Sequence, residues 1–545
     1  MKIIGIGGSD HDLSACLLVD GKLEIAIEEE RLSREKHGRG IRSCLLKSVD
    51  YCLKELNLDY KDIDYFFTSD LFYPRIAPPK MYIDKLIKIN HHYTHAACAY
   101  YLSGFEEAAW LVIDGGGSRI SFNTAETVTY GYINSYKITT LQKVLGRLNT
   151  LYDLGYQSNS LGSFYDFFNL LCGFGIFEAG KLMGLASYGK PSYINEIKKL
   201  VNIRMAENHQ VDIKIELNRE IYKDFYKIIT DCKELSSQFQ IKADFAASAQ
   251  ILLEEWTYML MEALYQQTHN ENLCYSGGVA YNSVLNGKIK ANTSFKNIFI
   301  PPAAGDSGTA IGAALYGYHN ILGNSVRTRK QITSMYTGKT YSSLNIKEAV
   351  SQYQKEVDAT DLGDQIFNAA AKDLCDEKII GWFQGGSEFG PRALGNRSIL
   401  ADARLTYMKD KLNTQVKFRE SFRPFAPVVL QNSVNEYFIS DFEYNPFMLY
   451  VGKVRPDKKS VIPAVVHIDE TARLQTINKI NNAYMYLLLC AYKKMTGIPV
   501  ILNTSFNTKG KPIVETPKDA IKCLLESGLD TIYVGTYKIT KKSNV

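Results

Sequence analysis

The amino-acid sequence predicts an α/β protein of two domains. Short apolar runs of strand length, ended by glycine or proline, alternate with helical patterns along most of the 545 residues. The composition, 46% hydrophobic and 22% charged, is ordinary for a globular protein and excludes a disordered, collagenous or coiled-coil chain. A polar stretch at about 323–342 lacks apolar periodicity and predicts a linker. We therefore expect domains at 1–340 and 341–545.

The first elements are three short strands at 3–6, 15–19 and 23–27, the last two joined by the turn Asp20-Gly21. A helical pattern follows at about 42–56. Further helices are predicted at 93–102, 245–268, 309–321 and 362–377, and further strands at 109–113, 273–275, 298–300 and 379–383.

Charge and targeting signals restrict the partners of the chain. The 63 Lys and Arg against 58 Asp and Glu leave a net charge of only +5, which predicts no nucleic-acid partner. No apolar stretch of about 18 residues occurs, so no membrane partner is expected. Ten scattered cysteines without a Cys-x-x-Cys pair or a secretion signal predict a cytoplasmic protein. The oligomeric state stays open, with a homodimer as one alternative.

The segment His91-His92-Tyr93-Thr94-His95 opens a predicted helix. His91 and His95 are four residues apart, so both imidazoles project from one face, as in a two-histidine metal clamp. Asp114 follows a predicted strand and Asp306 precedes a predicted helix, where ligands gather in open α/β sheets. Together these four side chains suit a divalent transition metal. The alternative is that they are capping, turn and solvated residues.

Two features point to further sites in the first domain. Glycine-rich turns at 7–8, 115–117, 277–278 and 305–308 are typical of an actin-type nucleotide cleft, although each alone reads equally as an ordinary turn. His11 between Asp10 and Asp12 has the surroundings of a general base, or of a polar hairpin loop.

The second domain carries basic residues among aromatic ones, at 390–398, 417–425 and 473–476, followed by Asn-Thr-Ser at 503–505. We expect Lys417 and Arg419 on one face of an extended segment. Such a cluster suits a phosphate or acyl phosphate, single-stranded nucleic acid, or simply a solvated surface.

Eight motifs occur in order along nearly the whole chain. They are Gly-x-x-x-His-Asp-x-Ser-Ala at 7–15, His-His-x-x-His-Ala at 91–96, Glu-Ala-Gly-Lys-Leu-Met-Gly-Leu-Ala-Ser-Tyr-Gly at 178–189, Gly-Gly-Val-Ala-x-Asn at 277–282, Gly-Asp-Ser-Gly at 305–308, Glu-Phe-Gly-Pro-Arg-Ala-Leu-Gly-Asn-Arg-Ser-Ile at 388–399, Lys-Phe-Arg-Glu-x-Phe-Arg-Pro-Phe-Ala-Pro at 417–427, and Asn-Thr-Ser-Phe-Asn at 503–507. In these motifs the chain resembles the O-carbamoyltransferases of the NodU/CmcH family.

The resemblance implies an actin-like ATPase domain of the ASKHA type, similar to that of tRNA threonylcarbamoyl-adenosine synthesis, followed by a YrdC-like α/β domain. It also implies that carbamoyl phosphate and ATP with Mg²⁺ give a carbamoyl-adenylate in the second domain. The carbamoyl group then passes to a hydroxyl of a small, natural-product acceptor beside a divalent transition metal, Fe²⁺. Antibiotic biosynthesis or other secondary metabolism is the implied context.

The resemblance further implies roles for individual residues, matched position by position. The implied metal ligands are His91, His95, Asp114 and Asp306; the catalytic residues are His11, Asp12, Lys417 and Arg423; the contacts with carbamoyl phosphate and the adenylate are Arg392, Arg419, Arg473, Asn503 and Thr504; and the residues of the nucleotide cleft are Glu178, Lys181, Gly277, Gly278 and Asn282.

Two other function classes remain as alternatives. A tRNA threonylcarbamoyl transferase-like enzyme would need a broad basic face, which a net charge of +5 does not favour. A non-catalytic nucleotide-binding regulator would have no use for the basic cluster around Lys417 and Arg423.

Overall fold

The computed structural model describes residues 1–38, 46–72, 85–149, 156–325 and 330–542. The chain divides into two units that are each discontinuous in sequence. Unit 1 comprises Met1–Asp10, Leu18–Lys22 and Ile63–Ile332, and unit 2 comprises His11–Leu17, Leu23–Asp62 and Thr333–Val545. The segment Leu23–Asp62, placed in the first domain from the sequence, therefore belongs to unit 2. The identity of the two domains at 1–340 and 341–545 stays a prediction.

The strands are defined along the described residues as follows. They are β1 (Lys2–Gly7), β2 (Ser14–Val19), β3 (Lys22–Glu28), β4 (Tyr65–Ser69), β5 (Leu86–Ile89), β6 (Glu107–Ile113), β7 (Arg119–Ser121), β8 (Thr124–Asn134), β9 (Lys137–Asn149), β10 (Tyr156–Gln157), β11 (Val201–Met205), β12 (Val211–Ile215), β13 (Asn272–Ser276), β14 (Asn297–Phe299), β15 (Val357–Asp361), β16 (Ile380–Phe383), β17 (Arg397–Asp402), β18 (Ala426–Leu430), β19 (Phe438–Ile439), β20 (Val451–Val454), β21 (Thr471–Arg473), β22 (Gln475–Ile477), β23 (Val500–Ser505), β24 (Thr531–Val534) and β25 (Tyr537–Lys541).

The α-helices alternate with these strands. They are α1 (Glu29–Ser33), α2 (Lys47–Glu55), α3 (His91–Ser103), α4 (Leu161–Leu171), α5 (Ala179–Ala186), α6 (Ile194–Lys198), α7 (Arg219–Thr230), α8 (Leu235–Thr268), α9 (Ser283–Asn286), α10 (Ile289–Asn292), α11 (Thr309–Tyr316), α12 (Ser343–Ser351), α13 (Ile366–Cys375), α14 (Met408–Leu412), α15 (Val434–Tyr437), α16 (Ala483–Thr496) and α17 (Pro517–Leu525).

Unit 1 combines parallel strand pairs with antiparallel pairs such as β6–β8 and β8–β9. Strand β4 lies between β1 and β5 and is parallel to both. In a second sheet of order β10-β9-β8-β6-β13-β14, strand β13 is parallel to both β6 and β14, and β7 pairs with β8. Helices α3 and α11 pack closely, because a Cβ at Gly312 would lie 1.8 Å from the Thr94 carbonyl oxygen. Only glycine permits this approach, which brings the helix that carries His91 and His95 close to the residues before α11.

Unit 2 is a layered α/β structure around a sheet of order β15-β25-β24-β16-β17-β23-β18-β22. Alternating side chains along β16 and β17 enter different hydrophobic clusters: Trp382 and Leu400 pack with α13 and α16, whereas Phe383 and Ile399 pack in the cluster that includes α12 and α17. Since successive side chains of a strand point to opposite faces, helices cover both faces of the sheet. A smaller sheet has the order β19-β20-β21. The predicted α/β class is confirmed.

The sequence located most of these elements, with two informative differences. Helix α8 begins at Leu235, ten residues before the predicted start. Among residues 235–244 only Ala243 is buried, so this part of the helix lacks the continuous apolar face by which the rest was predicted. The predicted helix at 309–321 is α11 followed by a π-helical turn, Gly317–Ile321. Of the predicted helix at 42–56, α2 is observed and residues 42–45 lie outside the described residues.

Each helix of the described residues is too short or too polar to cross a lipid bilayer.

Candidate functional site

Helix α3 presents two imidazoles on one face, as the sequence spacing predicts. The helix begins at His91 because the Asn90 side chain accepts a hydrogen bond from the Tyr93 N–H at 3.1 Å. The side chains of His91 and His95 are fully buried, and their Nε2 atoms are 3.1 Å apart. The two nitrogen atoms therefore face a common point.

Two carboxylates complete this cluster from strand-end positions. Asp114 directly follows β6, and Asp306 lies in the turn before α11. The His91 Nε2 atom is 3.3 Å from Asp114 Oδ2 and 3.4 Å from Asp306 Oδ1, and the corresponding distances from His95 Nε2 are 3.4 and 3.6 Å. One ligand atom from each of the four residues lies within 4.8 Å of the others. The structure thus brings together all four predicted metal ligands.

Serine hydroxyls orient the imidazoles, a contribution that the sequence reasoning missed. The Ser69 hydroxyl is 2.8 Å from His91 Nδ1, and the Ser276 hydroxyl is 3.4 Å from His95 Nδ1. Because their Nδ1 atoms meet serines, both imidazoles direct Nε2 to the cluster. These serines are the last residues of β4 and β13, and that strand-end position is a signal by which they could be found.

The carboxylates also have partners outside the cluster. The Ser9 hydroxyl donates to Asp306 Oδ2 at 2.7 Å. The Gly278 N–H donates to Asp114 Oδ1 at 3.2 Å. Each carboxylate therefore keeps its other oxygen directed at the imidazoles.

The charges of this cluster favour a cation between the carboxylates. Burial lowers the pKa of His91, but the charge of Asp306 and the hydrogen bonds with both carboxylates raise it to about 10. Burial and the charge of Asp306 raise the pKa of Asp114, yet the two imidazoles hold it below its usual range. Two imidazoles and two carboxylates form a donor set that suits a first-row divalent metal. The residues present therefore fit such an ion.

His92 does not belong to this cluster. Its Nδ1 atom is 2.6 Å from the Thr129 hydroxyl, and its side chain is fully buried. Burial holds the pKa of His92 well below its usual value. His92, the second histidine of the motif, is therefore a neutral core residue.

Of the predicted nucleotide-cleft residues, Gly278 contacts Asp114, and the others make the following contacts in unit 1. Glu178 and Lys181 form an ion pair of 2.6 Å at the start of α5. The N–H of Gly277 donates to the Ala304 carbonyl. The amide of Asn282 caps α9 and exchanges hydrogen bonds with Gln250. Asn282 is thus engaged within the protein, and the nucleotide contacts of these residues stay a prediction.

His11 and Asp12 belong to unit 2, where a second histidine joins them. The Oδ2 atom of Asp12 lies 3.1 Å from Nδ1 of His11, and the Oδ1 atom of Asp12 lies 2.8 Å from Nδ1 of His37. Burial raises the pKa of Asp12, but the hydrogen bonds from both histidines lower it below its usual value. An ionised Asp12 therefore orients both imidazoles. No local pattern pointed to His37, because it is 25 residues away in sequence.

The predicted arginines form a cluster of like charge in unit 2. Burial and then the charges of Arg392, Arg419 and Arg423 hold the pKa of Arg473 well below its usual value. Burial and the charge of Arg423 lower the pKa of Arg419 to about 9. The buried Nε atom of Arg473 has no hydrogen-bond partner among the described residues. One carboxylate, Glu420, lies 3.8 Å from Arg423. An anion with several oxygen atoms would satisfy this cluster.

Lys417 ends a π-helical turn, Asn413–Lys417, which continues α14. The expectation of an extended segment here is wrong, because Phe418 adopts a left-handed conformation with φ of 46° and turns the chain. The Lys417 ammonium donates to the Ser505 carbonyl and, at 3.0 and 2.8 Å, to the backbone and side-chain oxygens of Asn507. Burial, with the charges of Arg419 and Arg423, lowers the pKa of Lys417 well below its usual value.

Asn503 and Thr504 lie on β23, which is paired with β17. The Asn503 side chain is buried and donates to Gln475 at 2.8 Å and to the Ala393 carbonyl at 3.3 Å. The latter bond fixes the residue next to Arg392. Asn503 thus supports the chain that carries Arg392, and direct contacts of Asn503 and Thr504 with a ligand stay predictions.

Family models match both parts of the chain. Residues 2–72 and 77–315 match the model described as "Carbamoyltransferase N-terminus". Residues 371–541 match the model described as "Carbamoyltransferase C-terminus".

Individual relatives are similar over much of their length. An uncharacterized protein of Synechocystis is 32% identical, over 99% of this chain and 96% of the relative. Nodulation protein NolNO of Sinorhizobium fredii is 35% identical, over 98% of this chain and 79% of the relative. The 3'-hydroxymethylcephem-O-carbamoyltransferase of Streptomyces clavuligerus is 30% identical, over 63% of this chain and 61% of the relative.

Proposed function

The chain belongs to the carbamoyltransferase family and is an enzyme, and on this premise we propose that it is an ATP-dependent O-carbamoyltransferase. In the proposed reaction, water cleaves carbamoyl phosphate to inorganic phosphate and carbamate. A carbamate oxygen then attacks the α-phosphorus of ATP, which forms a carbamoyl-adenylate and releases pyrophosphate. A hydroxyl of a small acceptor then attacks the carbamoyl carbon, and AMP leaves. The proposal for the domains is an actin-like domain at 1–340 and a YrdC-like domain at 341–545.

The arginine cluster of unit 2 is the observation that carries this proposal. The charges of Arg392, Arg419 and Arg423 all lower the pKa of Arg473, so the four guanidinium groups lie within electrostatic reach of one another. Their mutual repulsion is relieved when an anion binds between them. Carbamoyl phosphate and the phosphates of ATP are such anions, and a guanidinium group can bind their oxygens through two parallel N–H donors. The same charges stabilise the negative charge that builds up on the departing phosphate.

The histidine–carboxylate cluster of unit 1 supports the metal part of the proposal. His91, His95, Asp114 and Asp306 would hold the divalent transition metal, which supplies Lewis-acid polarisation or orientation of oxygen ligands when bound. Fe²⁺ is the proposed ion, and Mg²⁺ would accompany ATP.

His11 is proposed as the base that takes the proton from the acceptor hydroxyl. Its Nδ1 atom lies 3.1 Å from Asp12 Oδ2, and Nε2 is the nitrogen proposed to accept the proton. The ionised Asp12 would then stabilise the imidazolium that forms. A hydroxyl is a weak nucleophile near neutral pH, which is why the transfer needs such a base.

The proposal is tested with the full-length protein, carbamoyl phosphate and Mg-ATP. We expect release of AMP and pyrophosphate that depends on carbamoyl phosphate, and a mass gain of one carbamoyl group in a member of a panel of hydroxylated metabolites. Acetyl phosphate in place of carbamoyl phosphate is the matched substrate control. Equal AMP release without carbamoyl phosphate, or with acetyl phosphate, would contradict the proposal.

A further inference from the structure

The loop that carries Arg392 is held from within at both of its ends. The buried Glu388 carboxylate accepts hydrogen bonds through Oε1 from three backbone N–H groups, those of Leu394 at 2.6 Å, Asn396 at 3.0 Å and Arg397 at 3.2 Å. The Arg397 guanidinium donates to the backbone carbonyls of Gln384 at 2.8 Å and Gly385 at 3.1 Å. These bonds close the loop but do not reach its middle.

The middle of the loop is held by two ionisable side chains from the segment Leu23–Asp62. The Gly390 N–H donates to Oε1 of Glu28, and the NH2 group of Arg31 donates to the Gly390 carbonyl at 2.8 Å. Gly390 has a φ of 116°, a conformation that favours glycine. Both polar backbone groups of one residue, two positions before Arg392, are therefore bound by ionisable side chains.

The side chains of Glu28 and Arg31 that contact Gly390 are both buried. Arg31 is 1% exposed and Glu28 is 6% exposed, and Arg31 Nε is 3.6 Å from Glu28 Oε2. Burying two ionisable groups is costly, and an apolar contact would join the segment to the loop at least as stably. The pair instead supplies a donor and an acceptor at fixed places, which apolar side chains cannot do. This arrangement points to control of backbone direction.

The direction of the backbone at Gly390 determines where Arg392 points. Pro391 has a restricted φ, so little rotation is available between Gly390 and Arg392. On the other side, the carbonyl of Ala393 accepts from Asn503 and that of Leu394 from Gln475. With both sides fixed, Arg392 is held close enough to Arg473 for its charge to lower the pKa of Arg473.

We propose that Glu28 and Arg31 are positioning residues for Arg392, and that they set the affinity of unit 2 for carbamoyl phosphate. This inference rests on the proposed function, because it takes Arg392 as a contact with carbamoyl phosphate. A positioning contact acts on substrate affinity, since a small misplacement of a binding group weakens its interaction with the ligand.

The test compares full-length wild-type protein with Arg31→Met, Arg34→Met and Arg392→Ala. Arg34 is the matched control, because it lies on the same segment and donates to the carbonyls of Pro512 at 2.9 Å and Ile513 at 2.7 Å. Binding of inorganic phosphate and of carbamoyl phosphate is measured by calorimetry. The KM values for carbamoyl phosphate and ATP are measured by AMP release.

We expect Arg31→Met to weaken phosphate binding and raise the KM for carbamoyl phosphate about tenfold, with the KM for ATP nearly unchanged. Arg34→Met should bind phosphate as the wild type does, although it loses three hydrogen bonds to the backbone whereas Arg31→Met loses one. Arg31→Lys keeps the buried charge and replaces Arg31→Met if that variant does not fold, with a smaller loss of phosphate affinity in the same direction.

The positioning role would be overturned if Arg31→Met or Arg31→Lys bound phosphate as tightly as the wild type while Arg392→Ala lost phosphate binding. The proposed function would still stand in that case. Equal losses in Arg31→Met and Arg34→Met would also overturn it, since both variants then only loosen the segment. A wild-type protein that binds neither phosphate nor carbamoyl phosphate would overturn the proposed function, and this inference with it.

Discussion

At the residue scale, the orientation of each imidazole in the metal-ligand cluster is fixed through its second nitrogen. His91 and His95 meet serine hydroxyls at Nδ1 and carboxylates at Nε2. An imidazole held in this way presents its Nε2 lone pair without first having to rotate. The cluster is therefore preorganised for a cation.

The first prediction concerns one ligand of this cluster. His95→Ala removes one of four donor atoms, so the variant should bind Fe²⁺ or Co²⁺ at least about tenfold more weakly than the wild type. Elemental analysis and titration of each protein with the metal measure the effect. We also expect a chelator to remove carbamoyl-transfer activity from the wild type.

His92→Gln is the matched control on the same helix. His92 contacts Thr129 rather than the cluster, so this variant should keep the metal affinity of the wild type. Unchanged metal binding in His95→Ala would contradict the assignment of the ligands.

The four residues of the histidine–carboxylate cluster could be found from the sequence because each has a recognisable local position. His91 and His95 have helical spacing, and Asp114 and Asp306 stand at the ends of predicted elements. His37 could not be found in this way. It contacts Asp12 only because folding brings two distant segments together, and the sequence contains no spacing pattern that relates the two residues.

At the element scale, β3 and α1 bring a buried carboxyl group into unit 2. Burial raises the pKa of Glu28, and the charge of Arg31 offsets only part of this effect, so the pKa lies at about 7. The folded protein therefore keeps a proton that the unfolded chain releases at lower pH. The stability that this group contributes is present below its unfolded pKa of 4.5 and is lost as the pH rises through about 7.

Glu28→Gln should flatten this pH dependence. Between pH 5 and 8 the free energy of unfolding of the wild type should fall by about 2–3 kcal/mol more than that of Glu28→Gln, because glutamine does not titrate. Urea unfolding at several pH values measures the difference. The control is Glu24→Gln, an exposed position on the same strand, which should follow the wild type. Parallel profiles for wild type and Glu28→Gln would contradict a raised pKa.

Elements with apolar periodicity were predictable, and those shaped by polar contacts were not. Strand β6 and helix α3 follow their patterns closely. The turn Asn413–Lys417 was not predicted. Its π-helical form and the left-handed conformation of Phe418 do not produce a pattern of apolar residues in the sequence. The contacts of Gly390 could not be predicted from the sequence either, because Arg31 is 359 residues away in the chain.

At the scale of the whole molecule, the candidate residues divide between the two units. The metal-ligand cluster belongs to unit 1, and the arginine cluster belongs to unit 2. If adenylate formation uses the arginine cluster and acceptor transfer uses the metal ligands, single substitutions should separate the two half-reactions.

Arg423→Ala should abolish pyrophosphate release that depends on carbamoyl phosphate, with or without acceptor, because one lost charge contact of this kind costs about 10²–10³ in rate. Asp306→Ala should still form the adenylate, which hydrolyses slowly to AMP, but should yield no carbamoylated acceptor. Pyrophosphate release and product mass are measured for both variants. Failure of both at the same step would contradict the division.

The membership of Leu23–Asp62 in unit 2 has a consequence for biosynthesis. Glu28 and Arg31 leave the ribosome long before Gly390 is translated, so for tens of seconds their charges have no loop to bind. Arg34 likewise has no acceptor until Pro512 and Ile513, which are 478 and 479 residues further along the chain, have been translated. During that interval the segment must stay hydrated or be shielded by a chaperone. The contacts of this segment within unit 2 therefore form only after Gly390, Pro512 and Ile513 have been synthesised.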